Sequence, residues 1–158
     1  MLQLPIFRMS QDEMIVDFRP SHAQTIELKE REKYYESLVP DYRGYVVQTA
    51  QPGMSWTGIS RGKVVACFGV RNVWPGVGEA WMLPGTAIDR HAISLVRGAR
   101  VIFSDLIKNQ GFSRVHIVVD SANDSALRFA KAIGFEVEGI MRNFGPDGSN
   151  YYMMARIT

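Results

Sequence analysis

Hydrophobic and polar positions change period several times along this chain, and each change predicts an element. Residues 14–18 (MIVDF) read as a strand, ended by Arg19 and Pro20. Ser21 with Gln24 three positions later is a capping-box pattern, and the charged segment that follows predicts a single helix to about residue 38. Ile26, Tyr34, Tyr35 and Leu38 are expected to face inward there. Glu27/Arg31 and Glu32/Glu36, spaced by four, mark a wet face, and Pro40 prevents continuation. Residues 39–53 read as a long connection with a short helix or strand around 45–47, the kind of loop that serves as a substrate lid or binding surface. Before all of these, Leu2, Leu4, Ile6 and Phe7 suit either an edge strand or a loose arm.

Two strands, 55–60 and 63–73, flank Arg61 and Gly62, a two-residue loop that makes a tight hairpin. Trp74, Pro75 and Gly76 turn the chain into a strand at 77–83, ended by Pro84 and Gly85. A helix over 89–109, capped by Thr86 or Asp89, is predicted from the three-four spacing of Ile93, Val96, Ala99, Ile102, Phe103, Leu106 and Ile107. Residues 113–135 (SRVHIVVDSANDSALRFAKAIGF) then form one unit. It comprises a β-branched strand at 115–119, a polar turn, a short helix with Ala126, Leu127, Ala130 and Ile133 inward, and Gly134 at the C-cap. A last hairpin joins 136–144 to 149–157 around Pro146, Asp147 and Gly148. An antiparallel meander followed by a strand–helix–strand–helix crossover predicts an α/β protein with a mixed sheet and helices on its faces.

At 158 residues the chain is expected to be one domain, 1–158, with a substantial core. The formal charge of +2 is too small to point to nucleic acid. Arg90, Arg97, Arg100 and Lys108 share one helix, but no aromatic-basic surface accompanies them. The lone Cys67 excludes an intrachain disulfide and a Cys-clustered metal site, and its apolar neighbours make it a buried structural thiol. No metal site is expected from His22, His91 and His116, which are far apart in sequence. His22 reads as surface and His116 as a satisfied core or sheet-face histidine rather than a ligand. Neither a signal-peptide pattern nor a membrane-spanning apolar run is seen, so a cytoplasmic protein without a membrane partner is expected.

The strand ending at Val119, then Asn123, Ala126 and Phe129, then Ile133-Gly134-Phe135, Glu138-Gly139 and Arg142, resembles the GNAT superfamily of acetyl-CoA-dependent N-acetyltransferases. The tail with Asp147, Gly148, Tyr151, Tyr152 and Met153 resembles the subgroup that acetylates protein N-termini or small amines. In element order the resemblance covers roughly residues 59–157, with its motif support concentrated in 113–142. The pattern is also similar to acetyltransferase-like proteins of tailed phages, which would put it in host cytoplasm or virion. The resemblance implies a GNAT-like, mostly antiparallel sheet of about six or seven strands with a splayed central pair. It also implies acetyl-CoA as co-substrate. Its pantetheine arm would pair with backbone at Trp81, Met82 and Leu83, its pyrophosphate would sit at a turn bearing Thr86, Arg90 and His91, and Asn123 and Phe129 would line the site. Free N–H groups at a helix start suit phosphate. The chain departs from the family where residues 84–92 (PGTAIDRHA) replace the usual glycine-rich phosphate loop and Asp89 is acidic. It departs again where Ala126 and Ala130 stand at positions that often carry hydroxyls.

Acetyl transfer to an amine needs a positioned thioester, a neutral amine and a base. Glu79, among the apolar neighbours Val77, Ala80, Trp81 and Met82, is the candidate base; a solvent-facing strand-end glutamate is the plain alternative. Tyr151, or its neighbour Tyr152, is the candidate acid to the leaving thiolate. Asn123 is either a cofactor ligand or a helix N-cap. Trp56, Trp74 and Trp81 read as core packing, with Trp81 near the acyl group by the resemblance. Arg142, Asn143 and Asp147 either shape acceptor binding or form a polar hairpin. Two functions follow. One is acetyl transfer from acetyl-CoA to a primary amine (a small molecule, a protein N-terminus or a lysine) by direct attack in a ternary complex. The other is a GNAT-fold protein without catalysis, in a binding or structural role such as a phage-particle component. A homodimer is left open.

Overall fold

The computed structural model describes residues 7–8 and 12–158, so Leu2, Leu4 and Ile6 of the expected arm lie outside the described residues. The strands are β1 (Phe7–Arg8), β2 (Glu13–Asp17), β3 (Ser55–Ser60), β4 (Lys63–Trp74), β5 (Val77–Pro84), β6 (Arg114–Asp120), β7 (Glu136–Met141) and β8 (Tyr151–Ile157). The helices are α1 (Pro20–Thr25), α2 (Glu30–Leu38), α3 (Tyr42–Thr49), α4 (Ala92–Gln110) and α5 (Asp124–Ile133), with a 3-10 turn at Thr86–Arg90 before α4. Hydrogen bonding runs in the order β1-β2-β3-β4-β5-β6-β8-β7. The β5–β6 pair is parallel; β1–β2, β2–β3, β3–β4, β6–β8 and β7–β8 are antiparallel. This is the mixed, mostly antiparallel α/β class expected. The chain packs as two compact units: the described residues up to Arg71 with Trp81–Gly98, and Asn72–Ala80 with Ala99–Thr158.

In the first unit Phe7 pairs with Ile15, so the end of the expected arm is an edge strand. Arg61 and Gly62 both have positive φ, 49° and 74°, the backbone that a two-residue hairpin between twisted strands requires. Ala23, Ile26, Leu28, Val46, Cys67 and Leu83 form a buried cluster, with Phe18, Tyr42, Val47, Val64 and Trp81 packed against it. Burial pushes the Cys67 thiol up to about 11, as befits a structural cysteine.

The single helix expected over 21–38 is instead two helices. Ile26 and Leu28 are 2% and 1% exposed and both enter the cluster. Positions two apart point the same way only on extended backbone, and in a helix they diverge to nearly opposite faces. The core therefore breaks the helix, and the break is capped by a side chain. Arg43 Nη1 donates to the carbonyls of Ala23 (2.9 Å), Ile26 (2.9 Å) and Gln24 (3.3 Å). Its Nε donates to Glu36 at 2.6 Å. The cap at the start of α1 is Arg19 rather than Ser21, its N–H donating to His22 Nδ1 at 3.1 Å. On α2 Tyr35 is buried, while Tyr34 and Leu38 are exposed because the helix begins anew at Glu30. Glu27 pairs with Lys63 at 3.0 Å. Residues 39–53, expected as a connection, contain α3, opened by Asp41, whose Oδ1 accepts from the Gly44 N–H at 3.3 Å.

In the second unit β6 and β8 pair without interruption from Arg114↔Ile157 to Asp120↔Tyr151. Val115, Val119, Ile133, Phe135 and Met154 are buried. The rings of Phe103 and Phe135 meet edge to face, 5.6 Å apart. Gly134 ends α5 at φ 104°. Arg100 Nε and Arg156 Nη1 donate to the carbonyls of Ala132 and Ile133 (2.8 and 3.2 Å), so two cations meet the negative end of that helix. β7 stops at Met141 and β8 starts at Tyr151, so the final hairpin is wider than expected. Asn150 Oδ1 accepts from the Asn143 N–H (3.2 Å) and Asp147 Oδ1 from the Ser149 N–H (3.0 Å), so the turn supplies its own polar partners. Helix α4 starts at Ala92 rather than 89, because the 3-10 turn takes the preceding residues. Its buried stripe is Leu95, Ala99, Ile102, Phe103 and Leu106, and Ile93, expected inside, is 73% exposed.

Arg43→Met keeps the side chain's apolar stem but removes its donors. It is expected to lower unfolding stability by about 2–3 kcal/mol, the scale of hydrogen bonds to a charged group, read from urea denaturation. A second prediction concerns His22, whose Nδ1 lies 2.7 Å from buried Thr57 Oγ1. Burial, and then the Arg19 charge, lower its pKa below 6.5. The unfolded chain therefore takes up the proton first, and stability falls as pH drops from 6.5 toward the lowered folded value, with no contribution above that window. His22→Asn should flatten this dependence in urea midpoints measured across the acid range; an unchanged slope would refute the assignment.

Candidate active site

Glu79 lies on β5 at the last rung of the parallel ladder with β6, which pairs Val77, Gly78 and Glu79 with Arg114, Val115 and His116 and goes no further. A ladder this short is what a splayed parallel pair leaves. Side chains alternate along a strand, and paired residues share a face. Glu79 and His116 therefore lie on one face, and the β6–β8 register adds Tyr151, opposite Asp120, to it. Tyr152, opposite Val119, lies on the other face. The two expected catalytic residues, Glu79 and Tyr151, thus share one side of the sheet.

Glu79 is also not alone. His116 Nε2 is 3.8 Å from Glu79 Oε2. Arg114 Nε donates to His116 Nδ1 at 3.3 Å, and Arg114 Nη1 and Nη2 donate to Glu138 Oε1 and Oε2 at 2.8 and 2.7 Å. The guanidinium beside Glu138 holds its carboxyl below the ordinary carboxylate value, and Glu138 in turn raises Arg114. Arg114 and Glu138 did not emerge from the sequence as site residues, and His116 read as a satisfied sheet-face residue. The one available signal was that 114 and 116, two apart on a strand, must share a face.

The other candidates divide between the two units. On the first, Leu83 is fully buried in the apolar cluster, so only its backbone can meet a ligand. Trp81 packs edge to face on Phe18 at 5.7 Å. A Cβ at Gly69 would lie 2.8 Å from Trp81 Nε1, so the indole fits there because residue 69 has no side chain. That Nε1 is buried with no hydrogen-bond partner among the described residues. Met82 is half-buried. On the second unit Asn123 is the N-cap of α5, its Oδ1 accepting from the Ala126 N–H at 3.2 Å, and Phe129 is half-buried on that helix. Arg142 is exposed.

The turn expected to hold phosphate is largely engaged by the protein itself. The Thr86 N–H donates to Glu27 O (2.9 Å), the Ile88 N–H to Gly85 O (3.2 Å) and the His91 N–H to Ile88 O (3.0 Å). His91 Nδ1 lies 2.9 Å from Glu13 Oε2, and Asp89 pairs with Lys29 at 3.1 Å. Arg90 is exposed. Regular helical bonding resumes with the Leu95 N–H donating to His91 O. The first turn of α4 (Ala92, Ile93 and Ser94) therefore offers the N–H groups that an α-helix start leaves without intrahelical partners. The backbone N–H groups of Thr86 and His91 are bonded within the protein, while exposed Arg90 lies just before that turn in sequence.

No helix among the described residues is long and apolar enough to cross a membrane. No family model matches the chain, and no curated protein does. Solved structures match along nearly its whole length. Ard1 from Thermoplasma volcanium is 21% identical, with 93% of this chain and 98% of that one covered and a TM-score of 0.74. A GNAT-family acetyltransferase from Bacillus anthracis is 13% identical, with coverage of 97% and 98% and a TM-score of 0.71. RimL, a ribosomal L7/L12 alpha-N-protein acetyltransferase solved in complex with coenzyme A, is 13% identical, with coverage of 97% and 98% and a TM-score of 0.69. With its mixed sheet, short parallel ladder and crossover helix, the chain has the GNAT acetyltransferase fold.

Proposed function

We propose that the protein is an N-acetyltransferase that moves an acetyl group from acetyl-CoA to a primary amine by direct attack. The observation that carries this reading is the end of the β5–β6 ladder at Glu79, with a carboxylate at the last rung and β5 continuing beyond it without β6. Backbone at Trp81, Met82 and Leu83 then has amide groups to offer pantetheine, and the partnerless Trp81 indole N–H is a further donor on that strand. The first turn of α4 with Arg90 would take the pyrophosphate. Asn123, which caps α5, and Phe129 on that helix are the cofactor residues proposed for the second unit. Glu79 takes a proton from the amine as its nitrogen bonds to the thioester carbon. The carbon–sulfur bond then breaks, and Tyr151 gives its hydroxyl proton to the departing thiolate. A protein N-terminus is the acceptor class favoured by the ribosomal-protein acetyltransferases among the structural neighbours; a small amine or a lysine is the alternative.

One observation favours a second reading, a GNAT-fold protein without catalysis in a binding or structural role: the glycine-rich loop is absent, and the Thr86, Ile88 and His91 N–H groups of its replacement turn are already bonded. A single titration separates the two. Acetyl-CoA at about 100 times its Kd should stabilise the fold by about 2.7 kcal/mol, seen as a rise in Tm. No rise at millimolar acetyl-CoA removes the enzyme reading. In an assay of CoA release with an alanyl peptide as acceptor, Glu79→Gln should lower kcat by about 100-fold or more while leaving the acetyl-CoA Kd within error. Loss of affinity instead would mean that Glu79 is structural.

A further inference from the structure

We infer that His116 is a positioning residue for Glu79, locked in one tautomer by Arg114, which Glu138 holds in place. The inference rests on the acetyl-transfer reading for its chemical purpose, while its geometry stands apart from it. A guanidinium stays protonated and has no acceptor, so the Arg114 Nε–H on His116 Nδ1 requires the lone pair to be on Nδ1. In neutral His116 the proton is then on Nε2, the nitrogen that faces Glu79 Oε2 at 3.8 Å. That separation is too long for a hydrogen bond and closes with a small side-chain adjustment, as catalytic contacts do when a substrate arrives.

The arrangement is built rather than incidental. Arg114 holds Glu138 with two parallel N–H···O bonds, the geometry that fixes a guanidinium in orientation as well as place. Glu138 reaches it from β7, across the intervening strand β8. Val137 pairs with Met154 and Gly139 with Met153, so Glu138 is the extra residue of a bulge, the device that re-aims one side chain of a strand. The charged groups on the side of His116 are Glu79 from β5, Arg114 from its own strand, and Glu138 and Glu136 from β7, the last in register with Ala155, which β8 puts opposite His116. Side-chain exposures of 15% for His116 and 33% for Glu79 leave the carboxylate within reach of an acceptor and the imidazole mostly enclosed. In this role His116 keeps its proton. Its N–H orients the Glu79 carboxylate that takes the amine proton.

The test begins on the apo protein. Long-range proton–nitrogen correlation spectra of histidine-labelled protein should show neutral His116 as a single species, protonated at Nε2 and bare at Nδ1. In Arg114→Met, and more weakly in Glu138→Gln, that pattern should give way to a mixture. Both tautomers, or the Nδ1–H form, in the unsubstituted protein overturns the inference without any variant having to fold. The second readout is turnover with acetyl-CoA and an alanyl peptide. His116→Leu should lower kcat by up to about 100-fold with the KM for acetyl-CoA unchanged, and His116→Gln, whose amide carries both a donor and an acceptor, should recover part of it. Unchanged kcat in His116→Leu overturns the inference. Failure of acetyl-CoA to bind would instead remove the acetyl-transfer reading and leave the tautomer result standing.

Discussion

Three rungs of parallel ladder set the terms for the chemistry of this fold. Parallel strands cannot be joined by a tight turn, so the chain must leave β5, cross over through the 3-10 turn and α4, and return as β6. Once back, β6 gives its full length to β8 on one side but only three residues to β5 on the other. Backbone hydrogen bonding ends where Glu79 meets His116, and side-chain charge takes over there. A carboxylate, an imidazole, a guanidinium and a second carboxylate follow one another through contacts of 3.8, 3.3 and 2.7 Å.

Arginine does a second job twice over. Helix α1 ends because its next residues belong to the core on extended backbone, and its open carbonyls fall to Arg43. Helix α5 has a C-terminal glycine in the left-handed region and still places Arg100 and Arg156 on its last carbonyls. In both places a planar, permanently charged donor satisfies acceptors at the negative end of a helix. Arg156 shows the energetic strain of this: burial, and then the neighbouring Arg100 charge, draw it below its ordinary value.

What could be read from the sequence follows from how local each signal is. The Arg61-Gly62 hairpin, the Asn123 cap and the Gly134 stop depend on backbone within a few residues, and each sits where its chemistry required. The break between α1 and α2 depends on Ile26 and Leu28 meeting Val46, Cys67 and Leu83, partners far along the chain, and a charged run with good helix formers gave no sign of it. Ile93 failed for a related reason. The 3-10 turn delayed the start of α4, and the buried stripe fell on Leu95 instead. In the site, Glu79 and Tyr151 were singled out from the family pattern, and the strand register puts them on one face of the sheet. Arg114, His116 and Glu138 were not, because their association depends on strand order and on a one-residue bulge.

That bulge also lies on an edge of the described sheet. β7 closes the hydrogen-bonding order of the described sheet, so its outer backbone groups face no further strand. An uninterrupted edge is a template on which another polypeptide can add itself. Here the ladder slips by a residue at Glu138, within two positions of a second carboxylate at Glu136, and an incoming strand would meet uneven spacing and negative charge. The same irregularity that aims Glu138 across β8 toward Arg114 makes this edge a poor template for an added strand.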